Sequence, residues 1–130
     1  MKSMNLDILD SSSIIEVLSD GPNTKHFGPI IKKHPDLLVP AIILTEVRKF
    51  ILRQRTCEQA ESITRSLLAA QVVPIDETIA VFAADLAIKH DLLLADSLIY
   101  ASALTHKATL WTQDEDFKGL PHVRYFKKAK

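Results

Sequence analysis

Short apolar runs alternate along this chain with longer segments whose hydrophobic residues recur at helical spacing. The short runs point to strands buried in a sheet, and the longer period points to amphipathic helices. The alternation predicts an α/β domain with a mostly parallel sheet. The first strand is Leu6 to Leu9, ending at Asp10. Ser11 to Ser13 follow as cap-type residues, and a short helix runs from about Ile14 to Ser19. Asp20 to Pro29 carries two glycines and two prolines and reads as a loop with a short helix after it. Leu37 to Val39 is a brief second strand, and Pro40 suits the first turn of a helix, where its missing N–H costs nothing.

That helix shows a clear stripe, with Ile43, Val47, Phe50 and Ile51 at i, i+4, i+7 and i+8. Thr56 with Gln59 forms a capping-box pattern, opening a helix through Ala60, Ile63 and Leu67 to about Ala70. Val72 to Ile75 is a third strand, short or at an edge because of Pro74. Asp76 caps a helix with the stripe Ile79, Phe82, Ala83, Leu86 and Ala87, and a further helix spans about Ala95 to His106. Thr109 to Thr112 and Val123 to Phe126 complete the strands.

Four acids stand where this pattern gives them chemical meaning. Glu46 falls at the i+3 position of the Ile43 stripe, so the helix aims a carboxylate inward, and a buried carboxylate needs a partner or a metal. A structural ion pair, or a stripe edge from which the head reaches water, also fits it. Asp96 shares a face with Ile99, Tyr100, Ala103 and Leu104, yet it also lies in a first helical turn, where an acid is favoured in any case. Asp10 and Asp114 sit just past the carboxyl ends of strands, the edge at which open α/β sheets bind ligands. Helix capping and a polar turn account for each of those two equally well, and Asp116 either joins the same site or faces water. Two strand-end acids and two helix acids can converge at the top of a parallel sheet, and crowded carboxylates persist only with protons or cations between them. All-oxygen donors favour Mg²⁺ or Mn²⁺, and the five histidines and one cysteine show no zinc spacing. Hard ions held by carboxylates suit phosphodiester hydrolysis without a covalent nucleophile.

At 130 residues the chain has the size of one domain able to bury a core, so residues 1–130 are expected to form a single domain. No apolar run reaches the roughly 18 residues of a membrane span, and Asp7 interrupts any signal-peptide core. The lone Cys57 suits a reducing compartment, so a cytoplasmic location is expected. Sixteen basic side chains balance sixteen acidic ones, which argues against a protein that coats nucleic acid through its overall field but not against an enzyme with one basic groove. Lys49 to Arg55 and the tail KKAK are candidate patches, although solvated helix and tail charges explain each more simply.

The segments ILDSSSIIEVL, PAIILTEVRKF, LLLADSLIYASAL and TLWTQDEDF, in this order, resemble the successive signatures of the PIN-domain nucleases, and most closely those of the VapC-type toxins of prokaryotic toxin–antitoxin pairs. The resemblance runs from Leu6 to about Phe126. It implies a PIN-like fold of three layers, α/β/α, with a short, mostly parallel central sheet flanked by helices. The same resemblance implies Asp10, Glu46, Asp96 and Asp114 as metal-binding catalytic acids, and Asp116 as an additional ligand. It also implies that Ser12 and Thr112 support the first and last acids by hydrogen bonding. Metal-dependent cleavage of RNA, a homodimer and a cognate antitoxin that blocks the site follow as expectations. The alternatives are a non-catalytic PIN-like scaffold and a nuclease of RNA maturation. A haloacid-type phosphatase would need Asp-x-Asp after the first strand, where this chain has Asp10-Ser11-Ser12, and a serine hydrolase would need a Gly-x-Ser-x-Gly elbow. Phe27, Ile30 and Ile31 fit either a partner surface or the core, with the core favoured.

Overall fold

The computed structural model describes residues 6–32, 36–54 and 56–129. The chain runs β1 (Asp7–Leu9), α1 (Ser11–Leu18), α2 (Thr24–Ile31), β2 (Leu37–Pro40), α3 (Ala41–Gln54), α4 (Cys57–Leu68), β3 (Gln71–Val73), α5 (Glu77–His90), α6 (Leu94–Thr105), β4 (Thr109–Thr112) and β5 (Val123–Tyr125). A single turn of 3-10 helix, Glu115–Phe117, stands between the last two strands. The five strands form one sheet in the order β3-β2-β1-β4-β5, and every pairing is parallel. Each residue of β1 and β2 is buried although successive side chains point to opposite faces, so helices cover both sides of the sheet and the three layers are as expected.

The core follows the stripes. Ile43, Val47 and Ile51 of α3 are sealed, with Phe50 half-buried at the margin. Ile79, Ala83 and Leu86 of α5 meet Ile99, Tyr100 and Ala103 of α6 in the same cluster. The capping box of α4 is complete: Gln59 N–H donates to Thr56 Oγ1, and Thr56 N–H donates to Gln59 Oε1. α5 ends on Asp91, which takes the left-handed conformation (φ 55°) tolerated by aspartate, so the chain turns directly into α6.

Several local expectations are corrected. The first helix starts at Ser11 rather than Ile14, because Asp10 is itself the cap: its carboxylate accepts from Ser13 N–H, the third residue of the helix. The stretch read as a loop from Asp20 to Pro29 contains most of α2, with Pro29 inside the helix. The proline removes one helical hydrogen bond, but burial of Phe27 and Ile30 outweighs that loss, and tertiary packing overrides the local breaker. Phe27, Ile30 and Ile31 therefore belong to the core and its margin, and the partner-surface reading of them falls. Pro40 ends β2 instead of opening α3; β1 pairs with β2 only as far as Leu38, so the missing N–H lies beyond that ladder. The third strand is Gln71–Val73, at the sheet edge and stopping before Pro74.

Candidate metal centre

The winding of the sheet reverses beside β1. From there the chain steps outward to β2 and β3, then returns to lay β4 and β5 on the other side. Strands that part in this way leave a crevice beyond their carboxyl ends, where ligands of open α/β sheets bind. Asp10 leaves β1 and Asp114 follows β4, so the path of the backbone alone brings both acids to this crevice. Glu46 arrives on α3, which follows β2 without a loop, and Asp96 on the first turn of α6.

Asp10 is the buried member, 3% exposed. Its Oδ1 accepts from Ser13 Oγ (2.7 Å), Ser13 N–H (3.0 Å) and Ser12 Oγ (3.0 Å), and its Oδ2 accepts from Thr112 Oγ1 (2.6 Å). Burial pushes the Asp10 carboxyl above the ordinary carboxylate range, against the pull of these donors. Thr112, expected to support the last acid by hydrogen bonding, accepts from the Asp114 backbone N–H (2.9 Å), and its hydroxyl also donates to the first acid, Asp10. A single side chain thus couples the two strand ends.

The remaining acids are more open. Glu46 is half-buried at the edge of its stripe rather than pointing into the core, and Ser11 Oγ donates to its Oε1 at 2.9 Å. Asp114 is half-buried and accepts from Asp116 N–H at 3.0 Å, capping the 3-10 turn, and Asp116 itself is exposed. Capping and membership of the site therefore coincide at Asp10 and Asp114. Asp96 is different: the cap position of α6 is Leu93, which offers no side-chain bond, and the Asp96 carboxylate accepts no hydrogen bond from the described residues. Its carboxyl is pushed up to about 7, first by burial, then by the negative charge of Asp114, Asp10, Asp116 and Glu46 in that order. All five acids thus share one electrostatic neighbourhood.

One carboxylate oxygen each from Asp96, Asp114 and Asp116 lie within 4.8 Å of one another. An ion bound at about 2.1 Å in octahedral geometry spaces its oxygens about 3 to 4 Å apart, so this group fits a hard divalent cation with little movement. Asp10 and Glu46 stand beside that group and not within it; each is tied to hydroxyls of the α1 N-terminus.

Behind the acids lies a buried polar knot with no role in the sequence reading. Asn23 N–H donates to Glu16 Oε2 (2.8 Å), Asn23 Nδ2 to Gln113 Oε1 (2.9 Å), and Gln113 Nε2 to Glu16 Oε1 (3.4 Å). It locks the α1–α2 turn to the end of β4, and with it the backbone carrying Asp114. Gly21 is required here, since a Cβ would lie 2.3 Å from the Glu16 carboxyl carbon. Ser11 and Ser13 were likewise read only as caps. The signal for Ser13 was present, because the third residue after an aspartate cap is the one whose N–H the cap accepts. Nothing local marked the partnership of Ser11 with Glu46, 35 residues away.

Fold and crevice together define a parallel α/β domain with an acidic cluster at the carboxyl edge of its sheet. The chain belongs to the PIN domain family, whose model matches residues 8–123. No curated protein matches the sequence closely enough to count as a relative. Among solved structures, a toxin–antitoxin complex from Klebsiella pneumoniae superposes with a TM-score of 0.80 at 23% identity, covering 93% of this chain and 98% of that one. VapBC2 from Rickettsia felis, bound to a DNA fragment from its promoter, gives 0.72 at 17% identity, with 95% and 99% covered. VapC20 from Mycobacterium tuberculosis, described as a sarcin–ricin loop cleaving toxin, gives 0.70 at 14% identity, with 88% and 94% covered.

Proposed function

We propose that this chain, as a single PIN nuclease domain over residues 1–130, is a metal-dependent endoribonuclease and the toxin of a VapBC-type toxin–antitoxin pair. The observation that carries the reading is the convergence of Asp96, Asp114 and Asp116 on one point beside Asp10 and Glu46. Asp10, Glu46, Asp96 and Asp114 are the catalytic acids, and Asp116 adds a ligand. Mg²⁺ is the expected ion, with Mn²⁺ as substitute, because every donor is a carboxylate oxygen. When bound, the ion supplies a water of lowered pKa and offsets charge on the phosphate.

The protein's own part is positioning. Ser12, Ser13 and Thr112 hold Asp10 in one orientation, from which its carboxylate would help hold the ion. Ser11 holds Glu46 toward the crevice. Asp96, whose carboxylate accepts no hydrogen bond among the described residues, would hold the ion together with Asp114 and Asp116. No serine or cysteine nucleophile is needed. The toxin–antitoxin and VapC20 structures with this fold support a toxin role and a cognate antitoxin partner, and a homodimer is part of the same proposal. Action in the cytoplasm is part of the proposal; among the described residues no helix is long and apolar enough to cross a membrane.

The test is incubation of antitoxin-free protein and its Asp96→Asn variant with a mixed RNA pool, with Mg²⁺, Mn²⁺ or EDTA. Cleavage that requires metal and disappears in the variant is expected. Stable RNA under every condition would replace the nuclease with the scaffold reading.

A further inference from the structure

The acidic centre opens on one side into a cleft of about 560 Å³, within the roughly 300–1,000 Å³ of ordinary ligand pockets. Asp114, Glu115 and Asp116 form one wall, and Tyr125, Lys127 and Lys128 another. We propose that Tyr125, Lys127 and Lys128 seat the nucleotide next to the scissile phosphate of single-stranded RNA, the ring stacking on its base and the ammonium groups meeting its backbone. The inference rests on the nuclease reading and adds a substrate-positioning subsite to it.

Three observations carry it. The first is placement. Tyr125 pairs in register with Thr112, the residue that donates to Asp10, so its half-exposed ring stands one strand away from the acids. Lys118 Nζ lies 5.8 Å from the ring centroid and brings a third cation to this wall.

The second is anchoring of the tail. Phe126 N–H donates to the Thr112 carbonyl (2.9 Å), extending the ladder past β5. Its ring stacks on His26 at 4.1 Å and lies parallel to Trp111 at 5.9 Å. Asn23 Nδ2, part of the buried knot, donates to the Lys127 carbonyl at 3.1 Å. The backbone from which both lysines project is therefore held against the domain and does not fray as chain ends commonly do.

The third is charge. Neither Lys127 nor Lys128 lies within ion-pair distance of a carboxylate among the described residues, although both share a cleft with three acids; the ion pair found there is Arg48–Glu61 on α3 and α4. A phosphodiester approaching this many carboxylates needs cations on both flanks, the metal on one and the lysines on the other. An aromatic ring beside unpaired lysines suits an unstacked base, which single-stranded RNA offers and a duplex does not. The basic run on α3 lacks this combination: Arg48 is committed to Glu61 and Thr64, and no ring accompanies it in the groove lined by Lys49, Leu52 and Arg53.

The experiment measures affinity for a short mixed-sequence single-stranded RNA by fluorescence anisotropy with Ca²⁺, and KM and kcat for its cleavage with Mg²⁺. Tyr125→Ala is expected to weaken binding and raise KM about tenfold with a smaller change in kcat, and Tyr125→Phe to restore both. Replacing Lys127 and Lys128 with Gln together should lower the slope of log Kd against log salt by about 1.4, the loss of two phosphate contacts. Retained thermal stabilisation by Mg²⁺ in each variant shows that the fold and metal centre are intact. If the parent cleaves RNA and the variants match it in KM and salt slope, the subsite is wrong and the nuclease stands. If the parent neither binds nor cleaves RNA, both fall. Variants that keep RNA affinity but lose the antitoxin would assign the wall to the protein partner and overturn the inference.

Discussion

Asp96→Asn tests the electrostatics of the centre independently of any reaction. Asp96 is displaced from 3.8 to about 7 in the folded protein, with burial and four neighbouring carboxylates as the cause. At about 1.4 kcal/mol per pH unit, the displacement corresponds to about 4 kcal/mol. The side chain is half-exposed, so solvent screening reduces the effect on stability to about 2 kcal/mol. A carboxyl whose folded pKa lies above its unfolded value favours the fold while protonated. Its contribution is complete below about pH 4, declines as the unfolded chain ionises first, and is gone above about pH 7. Asparagine has no proton to lose. In metal-free buffer the variant should therefore gain on the parent steadily between pH 4 and 7, reaching about 8 °C in Tm and then levelling. Thermal unfolding followed by circular dichroism at half-unit pH steps reads this directly. A difference in Tm that stays flat with pH, or that favours the parent at pH 8, would refute the crowding argument. Magnesium supplies the second arm. An ion at one hundred times its Kd stabilises the parent by about 2.7 kcal/mol, and the variant should respond far less. An equal response would place the ion elsewhere.

Ser13→Ala removes a fully buried donor to Asp10 and should cost about 1–3 kcal/mol in urea unfolding, whereas Ser12→Ala, at a half-exposed position, should cost under about 1 kcal/mol; equal costs would contradict the hierarchy of bonds around Asp10. Gly21→Ala drives a methyl into the Glu16 carboxylate, which Asn23 and Gln113 hold in place, and should lower stability by about 2 kcal/mol, with amide exchange of Asn23 accelerating; a neutral outcome would show that the knot yields. Thr56→Ala breaks the capping box of α4, at a cost of about 1 kcal/mol, and should leave RNA cleavage unchanged.

Much of this molecule was legible in its residues. The stripes of α3 and α5 repeat at helical spacing because one face of each must be apolar, and the structure buries Ile43, Val47, Ile51, Ile79, Ala83 and Leu86 accordingly. Strand ends, caps and the capping box are also local, since a cap bonds the N–H of a residue three positions on. The acids were conspicuous for the same kind of reason: each stands at a strand end or on a helix whose apolar face can be counted. Local pattern could not overcome Pro29, because the force holding that helix comes from Phe27 and Ile30 meeting the rest of the core.

What only the tertiary structure decided is which polar groups meet. The order β3-β2-β1-β4-β5 sets β1 beside β4 although about a hundred residues separate them in sequence, and Thr112 reaches Asp10 across that gap. Packing of α6 against β4 draws Asp96 together with Asp114 and Asp116, and with Asp10 and Glu46 nearby the Asp96 pKa rises, a field that no stretch of residues carries by itself. The fold also turns Lys127 and Lys128, ordinary tail charges in the sequence, into one wall of the cleft beside those acids. Hydrophobic periodicity is a property of neighbours along the chain, whereas hydrogen bonds and charge interactions at the site depend on distances that exist only after the sheet has formed.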